Sequence, residues 1–275
     1  MKEQTSDPMG SFRQTNQSLC DAYTDIHKDS AAYDLAAFKA GQTTLSAIEL
    51  EELAPEVDGK TMLHLQCHFG RDSMMWARMG AKVTGVDFSS KAIALARELN
   101  VELGLDCRFV EANVLDMTGA LDEQFDIVFT SYGVLTWLDD LEAWARTVAR
   151  HLKPGGVFYI VEFHPIGMML NDASEGFGFD LPYFRTPEPH RFVNDGSYAG
   201  AFKDGETHPA YEWTHPMSEI VSALGAAGLQ IEYLHEFDFS IYPMVPWLEG
   251  GGEEWHIPAG WPQLPLMFSI RATKS

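Results

Sequence analysis

One stretch limits what this chain can fold into more than any other: Thr61 to Asp87, TMLHLQCHFGRDSMMWARMGAKVTGVD. Met62, Leu63 and Leu65 make a nearly continuous apolar run, the mark of a strand covered on both faces of a parallel sheet. Gln66 to Gly70 reads as a loop. Asp72 and Ser73 stand where a helix begins, and Met74, Met75, Ala77, Arg78 and Met79 are mostly good helix formers. Gly80 supplies a stop. Lys82 to Val86 is short and β-branched, a second strand, and Asp87 follows it directly. A carboxylate about 20 residues beyond the loop glycine is where a nucleotide-binding β-α-β unit meets ribose hydroxyls. Dinucleotide loops carry three glycines so that backbone can press against a pyrophosphate. Here Gly70 stands amid Cys67, His68 and Phe69. So glycine-poor a loop suits a nucleoside ligand without phosphates; the plainer alternative is an ordinary strand-helix turn followed by a chance Asp.

The unit repeats downstream. Ser89 or Ser90 caps a helix through Leu103. Cys107 to Val110 is a third strand, with Glu111-Ala112-Asn113 at its end. Phe125 to Thr130 is a fourth, ending in Ser131-Tyr132-Gly133. Leu138 to Leu152 is a helix, broken by Lys153-Pro154-Gly155-Gly156, and Val157 to Phe163 is a fifth strand. Strands and helices alternating at this spacing predict a parallel sheet with helices on both faces. The pattern then stops. Residues 164–216 are rich in Gly, Pro, His and aromatics and too long for a plain loop. They read as an inserted cap with short strands near Tyr198 to Phe202 and Ala210 to Thr214. A helix over Met217 to Ala227 and strands over Leu229 to Phe239 and Leu266 to Thr273 complete the chain, with an aromatic loop through Trp247, Trp255 and Trp261 between the strands. Upstream, residues to about Asn16 read as a flexible arm, and two short helices are expected over Asp29 to Ala40 and Thr44 to Leu53. The expected organisation is therefore 1–55 arm and lid helices, 56–163 ligand-binding core, 164–216 cap and 217–275 the end of the core.

Composition excludes several classes of function. Forty Asp and Glu against nineteen Lys and Arg leave a net charge of -21, which repels phosphate backbones and argues against nucleic acid as a partner. No apolar run reaches the roughly 18 residues needed to cross a bilayer, so no membrane partner is expected. The polar start lacks the apolar region of a secretion signal, which predicts a cytoplasmic protein. Cys20, Cys67 and Cys107 are scattered and odd in number, against a disulfide framework, and no Cys/His spacing suggests a metal site.

Taken together, LHLQCHFGRD, VTGVDFS, FVEANVLD, FDIVFTSYGVLTWL and HLKPGG resemble the corresponding segments of class I S-adenosylmethionine-dependent methyltransferases. The likeness is close over Lys60 to Phe163 and topological from Met217 onward. HLQCHFG, in place of the usual glycine-rich loop, looks like a small-molecule sub-branch. The resemblance implies an α/β, Rossmann-like, seven-stranded mixed sheet whose last strand is inserted antiparallel. It implies S-adenosylmethionine as methyl donor and S-adenosylhomocysteine as product. Position by position, it puts Asp87 on the ribose hydroxyls and Phe88 against the adenine. Asn113, with Ala112 and Val114, falls near the adenine amine. Gln66, His68 and Gly70 fall around the methionyl part, Thr130 and Ser131 by its carboxylate and sulfonium, and Tyr33 in a lid. Tyr132 and Trp137 fall beside the transferable methyl.

The substrate side is read from residue chemistry. Methyl transfer is an in-line displacement helped mainly by alignment and a dry pocket. A hydroxyl acceptor needs a base, most often His near neutral pH. His164, immediately beyond the fifth strand, is the best placed, ahead of His208 and His215. Tyr211, Trp213 and His215 form a YEWTH cluster that suits a substrate pocket, and Glu162, Glu236 and Asp238 are candidates for holding a cationic amine. His64, inside a buried strand, and Cys67 read as core residues. The expected partner is a small-molecule methyl acceptor, with a homodimer as a further possibility. Two rivals stay open: a nicotinamide-dependent oxidoreductase, against which the missing glycines count, and a binding module without turnover.

Overall fold

The computed structural model of the chain describes residues 8–172 and 177–275. In chain order the elements are α1 (Pro8–His27), α2 (Leu35–Lys39), α3 (Ala47–Glu52), β1 (Thr61–Leu65), α4 (Arg71–Arg78), β2 (Lys82–Asp87), α5 (Ser90–Glu102), β3 (Arg108–Glu111), β4 (Phe125–Ser131), α6 (Leu141–His151) and β5 (Leu152–Phe163). They continue with β6 (His190–Asn194), β7 (Gly196–Ser197), β8 (Gly200–Ala201), β9 (His208–Glu212), α7 (Met217–Ala226), β10 (Leu229–Phe237), β11 (Phe239–Ser240), β12 (Glu249–Gly251), β13 (Glu254–His256) and β14 (Met267–Lys274).

The central sheet has seven strands in the order β10-β14-β5-β4-β1-β2-β3. β3, β2, β1, β4 and β5 run parallel, and β14 lies antiparallel between β5 and β10. Alternation along each strand divides the core in two. Leu63, Leu65, Val128, Phe158 and Ile160 pack under α6 and α7. Met62, Val83, Ile127, Phe129, Tyr159 and Val161 pack under α3, α4 and α5. Both faces are dry, as the continuous apolar strands foretold. The chain leaves β1 toward α4 on one side while β4 lies on the other, so the strand order reverses at the β1/β4 boundary. Ligands of open α/β sheets bind beyond the carboxyl ends of the strands at such a reversal.

Four expectations need correction. The flexible arm is helical from Pro8. α1 crosses the carboxyl edge of the sheet and is held by polar bonds: Arg13 forks onto Asp139 at 3.0 and 2.7 Å, and Asn16 brackets the Tyr211 backbone from both sides at 2.7 and 2.9 Å. A search for apolar period misses a helix anchored this way. The helix expected over Asp29 to Ala40 is reduced to α2. The KPGG turn lies inside β5 as an outward loop, with Phe125 paired to Leu152 and Ile127 to Val157. In the cap, β9 is paired antiparallel with the unforeseen β6, and β7 with β8; the aromatic loop likewise contains the small sheet β11-β13-β12. No helix among the described residues is long and apolar enough to cross a membrane.

Candidate active site at the carboxyl edge of the sheet

The loop after β1 is bent by side-chain-bearing residues in the left-handed region. Gln66 has φ 55° and His68 φ 51°; Tyr132, in the neighbouring loop after β4, has φ 38°. Each such residue costs about 1–2 kcal/mol, and strain of this kind concentrates at functional sites. The two loops are tied together by Gln66, whose side-chain amide donates to the Val134 carbonyl at 2.9 Å. Gln66 Oε1, His68 Nε2 and, from the lid, His27 Nδ1 are buried without a hydrogen-bond partner among the described residues. Buried polar atoms are nearly always paired, so unpaired ones on neighbouring residues point to a polar ligand.

Asp87 lies at the end of β2 and is buried. Its two oxygens accept the His68 and Ser89 backbone N–H groups, each at 2.8 Å. A carboxylate offers about four lone-pair directions, so acceptor capacity remains for a diol. Burial raises this carboxyl to about 6, backbone donors pull it down, and nearby Asp21 pushes it up. α1 covers this corner: Gln17 donates to the Phe88 carbonyl at 2.6 Å, and Asp21 accepts from the Ser89 hydroxyl at 2.6 Å. His27 stacks between Tyr23 and Tyr33 and meets His68 edge-on at 5.0 Å. Tyr33 packs on Phe69 and shares a 2.6 Å hydrogen bond with the Tyr198 hydroxyl of the cap. Burial lowers His27 to about 4 and holds His68 well below the usual imidazole range. Both rings are therefore neutral at pH 7.

Gln66, His68, Asp87, Phe88 and Tyr33 fall in one corner, and the other expected site residues have contacts within the protein. Gly70 has φ 75°, and a Cβ there would meet the Phe109 ring at 2.4 Å; close packing on β3 accounts for this glycine without any approach to a ligand. Asn113 Oδ1 accepts the Leu115 N–H at 2.9 Å, folding the turn after β3. Ala112 donates its N–H to the Asp87 carbonyl, and Val114 is buried in the core. The Thr130 hydroxyl is spent on the Leu65 carbonyl at 3.1 Å, while Ser131 is a buried strand residue. Tyr132 turns its hydroxyl to Ser46 and Glu49 at 2.6 and 2.9 Å, anchoring α3.

A second region, a cavity beside the β4 exit, is lined by Gly133, Thr136, Glu162, His190, Glu212 and Trp213 among others, His215 included. Its enclosed part is about 40 Å³, room for one functional group; pockets for whole drug-sized ligands run to about 300–1,000 Å³. Glu162 is buried and accepts backbone N–H groups from Gly133, Val134, Leu135 and Phe163. Glu212, on β9, accepts the Thr136 hydroxyl at 3.1 Å, and burial raises its carboxyl above the ordinary range. His215 is engaged at both ring nitrogens, by the Leu138 carbonyl and Glu219. Trp137 and Tyr211 are not among the lining residues, and the Tyr211 ring packs on Phe12 of α1 at 4.3 Å.

His164 does not line this cavity either. Its Nδ1 accepts the Ile166 N–H at 3.1 Å, its Nε2 lies 2.9 Å from Glu236 on β10, and its ring meets Phe268 edge-on. It closes the β5 exit against β10 and β14. Glu236 is thus occupied, and Asp238 is exposed. His64 is a core residue bonded to Ser73 at 2.8 Å, and Cys67 is buried. Sequence reasoning missed His27, Tyr198, His190 and Glu212; the YEWTH cluster was the available signal for Glu212. No group of three or more His, Cys, Asp or Glu among the described residues is placed to hold a metal ion.

With this geometry in hand, comparison with known proteins fits the fold to a class. Residues 63–160 match the family model described as a methyltransferase domain. A ubiquinone biosynthesis O-methyltransferase of Proteus mirabilis is 31% identical over 111 residues, 40% of this chain and 45% of that protein. A cypemycin N-terminal methyltransferase of a Streptomyces species is 34% identical over 107 residues, 38% and 42% of the two chains. The matched segment thus spans less than half the length of these curated relatives. Among solved structures, an S-adenosylmethionine-dependent methyltransferase from Mesorhizobium loti superposes with a TM-score of 0.58 at 20% identity, covering 90% of this chain and 100% of that one. One from Listeria monocytogenes gives 0.56 at 19%, covering 87% and 99%. At such identities the likeness establishes the fold: an α/β Rossmann-like seven-stranded mixed sheet.

Proposed function

We propose that the protein is an S-adenosylmethionine-dependent methyltransferase acting on a small molecule. The observation that carries this is the corner between β1 and β2. There, a loop held in left-handed backbone carries Gln66 Oε1 and His68 Nε2, buried and without a partner among the described residues, and is bonded through the His68 N–H to the buried Asp87 carboxylate. Asp87 would hold the ribose diol, Phe88 the adenine face, and Gln66 and His68 the methionyl polar groups. The bound sulfonium supplies an electrophilic methyl. What this chain contributes is placement, exclusion of water by α1 and Tyr33, and an enclosed space beside the β4 exit for the acceptor. The curated relatives include both O- and N-methyltransferases by name, so the acceptor must be argued from this chain's own cavity.

The test is calorimetric titration of the purified protein with S-adenosylhomocysteine, with NAD in parallel. Micromolar binding of the first and none of the second is expected. The reverse would transfer the reading to an oxidoreductase. Binding of neither would leave a fold used for interaction alone.

A further inference from the structure

The cap ribbon places two polar side chains at the cavity that no expectation assigned. His190 on β6 and Glu212 on β9 are register partners. Directly opposite residues of an antiparallel pair project on the same face, about 4.5–5.5 Å apart at Cβ. Both line the cavity beside the β4 exit. His190 Nε2 is buried with no hydrogen-bond partner among the described residues. Glu212 holds a single hydroxyl donor, from Thr136, on one of its oxygens. Trp213 and Phe163 also line this space, and no Lys or Arg among the described residues does. Glu162, the other carboxylate here, is already saturated by backbone donors.

We infer that the methyl acceptor is an amine, held through its N–H groups by Glu212 and His190 of the cap ribbon. The inference rests on the methyltransferase reading above. A carboxylate with unused acceptor capacity beside aromatic faces suits a cationic donor, through charge-assisted hydrogen bonding and attraction to the ring faces. An acidic ligand would meet the buried Glu162 and the half-buried Glu212, and no lining cation among the described residues. An ammonium entering from water gives one proton to Glu212, whose raised proton affinity in this position favours the transfer. The freed nitrogen lone pair forms the N–C bond as the C–S bond breaks, its electron pair staying on sulfur as a neutral thioether. The product is the methylated ammonium, and the proton on Glu212 returns to solvent. The His190 imidazole accepts a second N–H, fixing the direction of the lone pair.

The experiment uses protein saturated with S-adenosylhomocysteine and three probes of one shape: 2-phenylethylamine, 2-phenylethanol and 3-phenylpropanoate. Binding is followed by calorimetry for the wild type and for Glu212→Gln, which keeps the shape and an oxygen for Thr136. The amine is expected to bind about tenfold or more tighter than the alcohol and the acid. Glu212→Gln should abolish that preference while leaving S-adenosylhomocysteine affinity unchanged. The inference is overturned if the acid or alcohol binds as well as the amine. It is also overturned if the preference survives in the variant, or if none of the three binds at millimolar concentration. Failure of S-adenosylhomocysteine itself to bind would instead strike the underlying reading, so the two failures are told apart.

Discussion

Asp87 offers the sharpest quantitative test. In Asp87→Asn the charge goes, and one of the two backbone donors, from His68 or Ser89, faces an amide NH2 instead of an acceptor. A hydrogen bond to a charged group is worth about 1.5–3 kcal/mol, so S-adenosylhomocysteine should bind about 10- to 150-fold more weakly. The pH dependence is more telling. Burial lifts the carboxyl from 3.8 to about 6 in the free protein. A folded value above the unfolded one means stability is fully present below about 4 and falls as pH rises through 6, by about 3 kcal/mol for two pH units at 1.36 kcal/mol each. A ribose diol donates hydrogen bonds to the ionised form and so favours it. Affinity in the wild type should therefore be flat above pH 7 and fall about tenfold per pH unit below 6. His27, lowered to about 4, and His68, held by burial well below the usual imidazole range, stay neutral in that range. Calorimetric titrations at pH 5.0, 6.0 and 7.5 on both proteins decide it. Equal affinity of the two, or a pH-independent wild type, would remove Asp87 from the ribose.

Three other substitutions probe contacts that the structure shows. Asn16→Ala removes both bonds from α1 to the Tyr211 backbone and should lower stability by about 1–3 kcal/mol, with limited proteolysis cutting α1 first; an unchanged protease pattern would show that the helix is held elsewhere. Gly70→Ala should destabilise by about 2 kcal/mol or more, from left-handed strain and overlap with Phe109. Adding Phe109→Leu should recover part of it in thermal unfolding, and no recovery would mean the glycine serves the ligand after all. His164→Ala frees the Ile166 N–H and the space beside Glu236 and Phe268. It should lower the melting temperature while leaving S-adenosylhomocysteine affinity intact, and turnover, once an acceptor is known, should survive.

The sheet could be read from the chain because its strands are covered on both faces, so burial leaves a mostly apolar record: MLHL, VTGV, FDIVFT, VFYIV. Asp87 could be read because it closes one of those strands. α1 could not, because the contacts that fix it are made by Arg13, Asn16, Gln17 and Asp21 with residues far along the chain. The β6-β9 ribbon escaped for a related reason. Its strands are partly exposed and joined by the short β7-β8 hairpin rather than a two-residue turn. At the site, sequence position located residues on the right edge of the sheet, but side-chain direction decided their role. His164 and Glu162 are two residues apart, yet one turns to β10 and the other receives the backbone of the β4 exit.

On the proposed function, the side chains of Gln66 and His68 would also set the thermodynamics of occupancy. A glycine-rich loop surrenders backbone freedom when its ligand arrives, an entropic loss of about 1–2 kcal/mol per residue ordered. Here the bend is imposed during folding, by Gln66 reaching Val134 and by His68 donating its N–H to Asp87. The proposed ligand would then meet a preformed mould, and its binding enthalpy would not be consumed in ordering the loop. Such a mould is unforgiving: with side chains where a dinucleotide loop has bare backbone, a pyrophosphate has no surface to lie on. Selectivity for a phosphate-free nucleoside would then be a property of the folded polypeptide before any ligand is present.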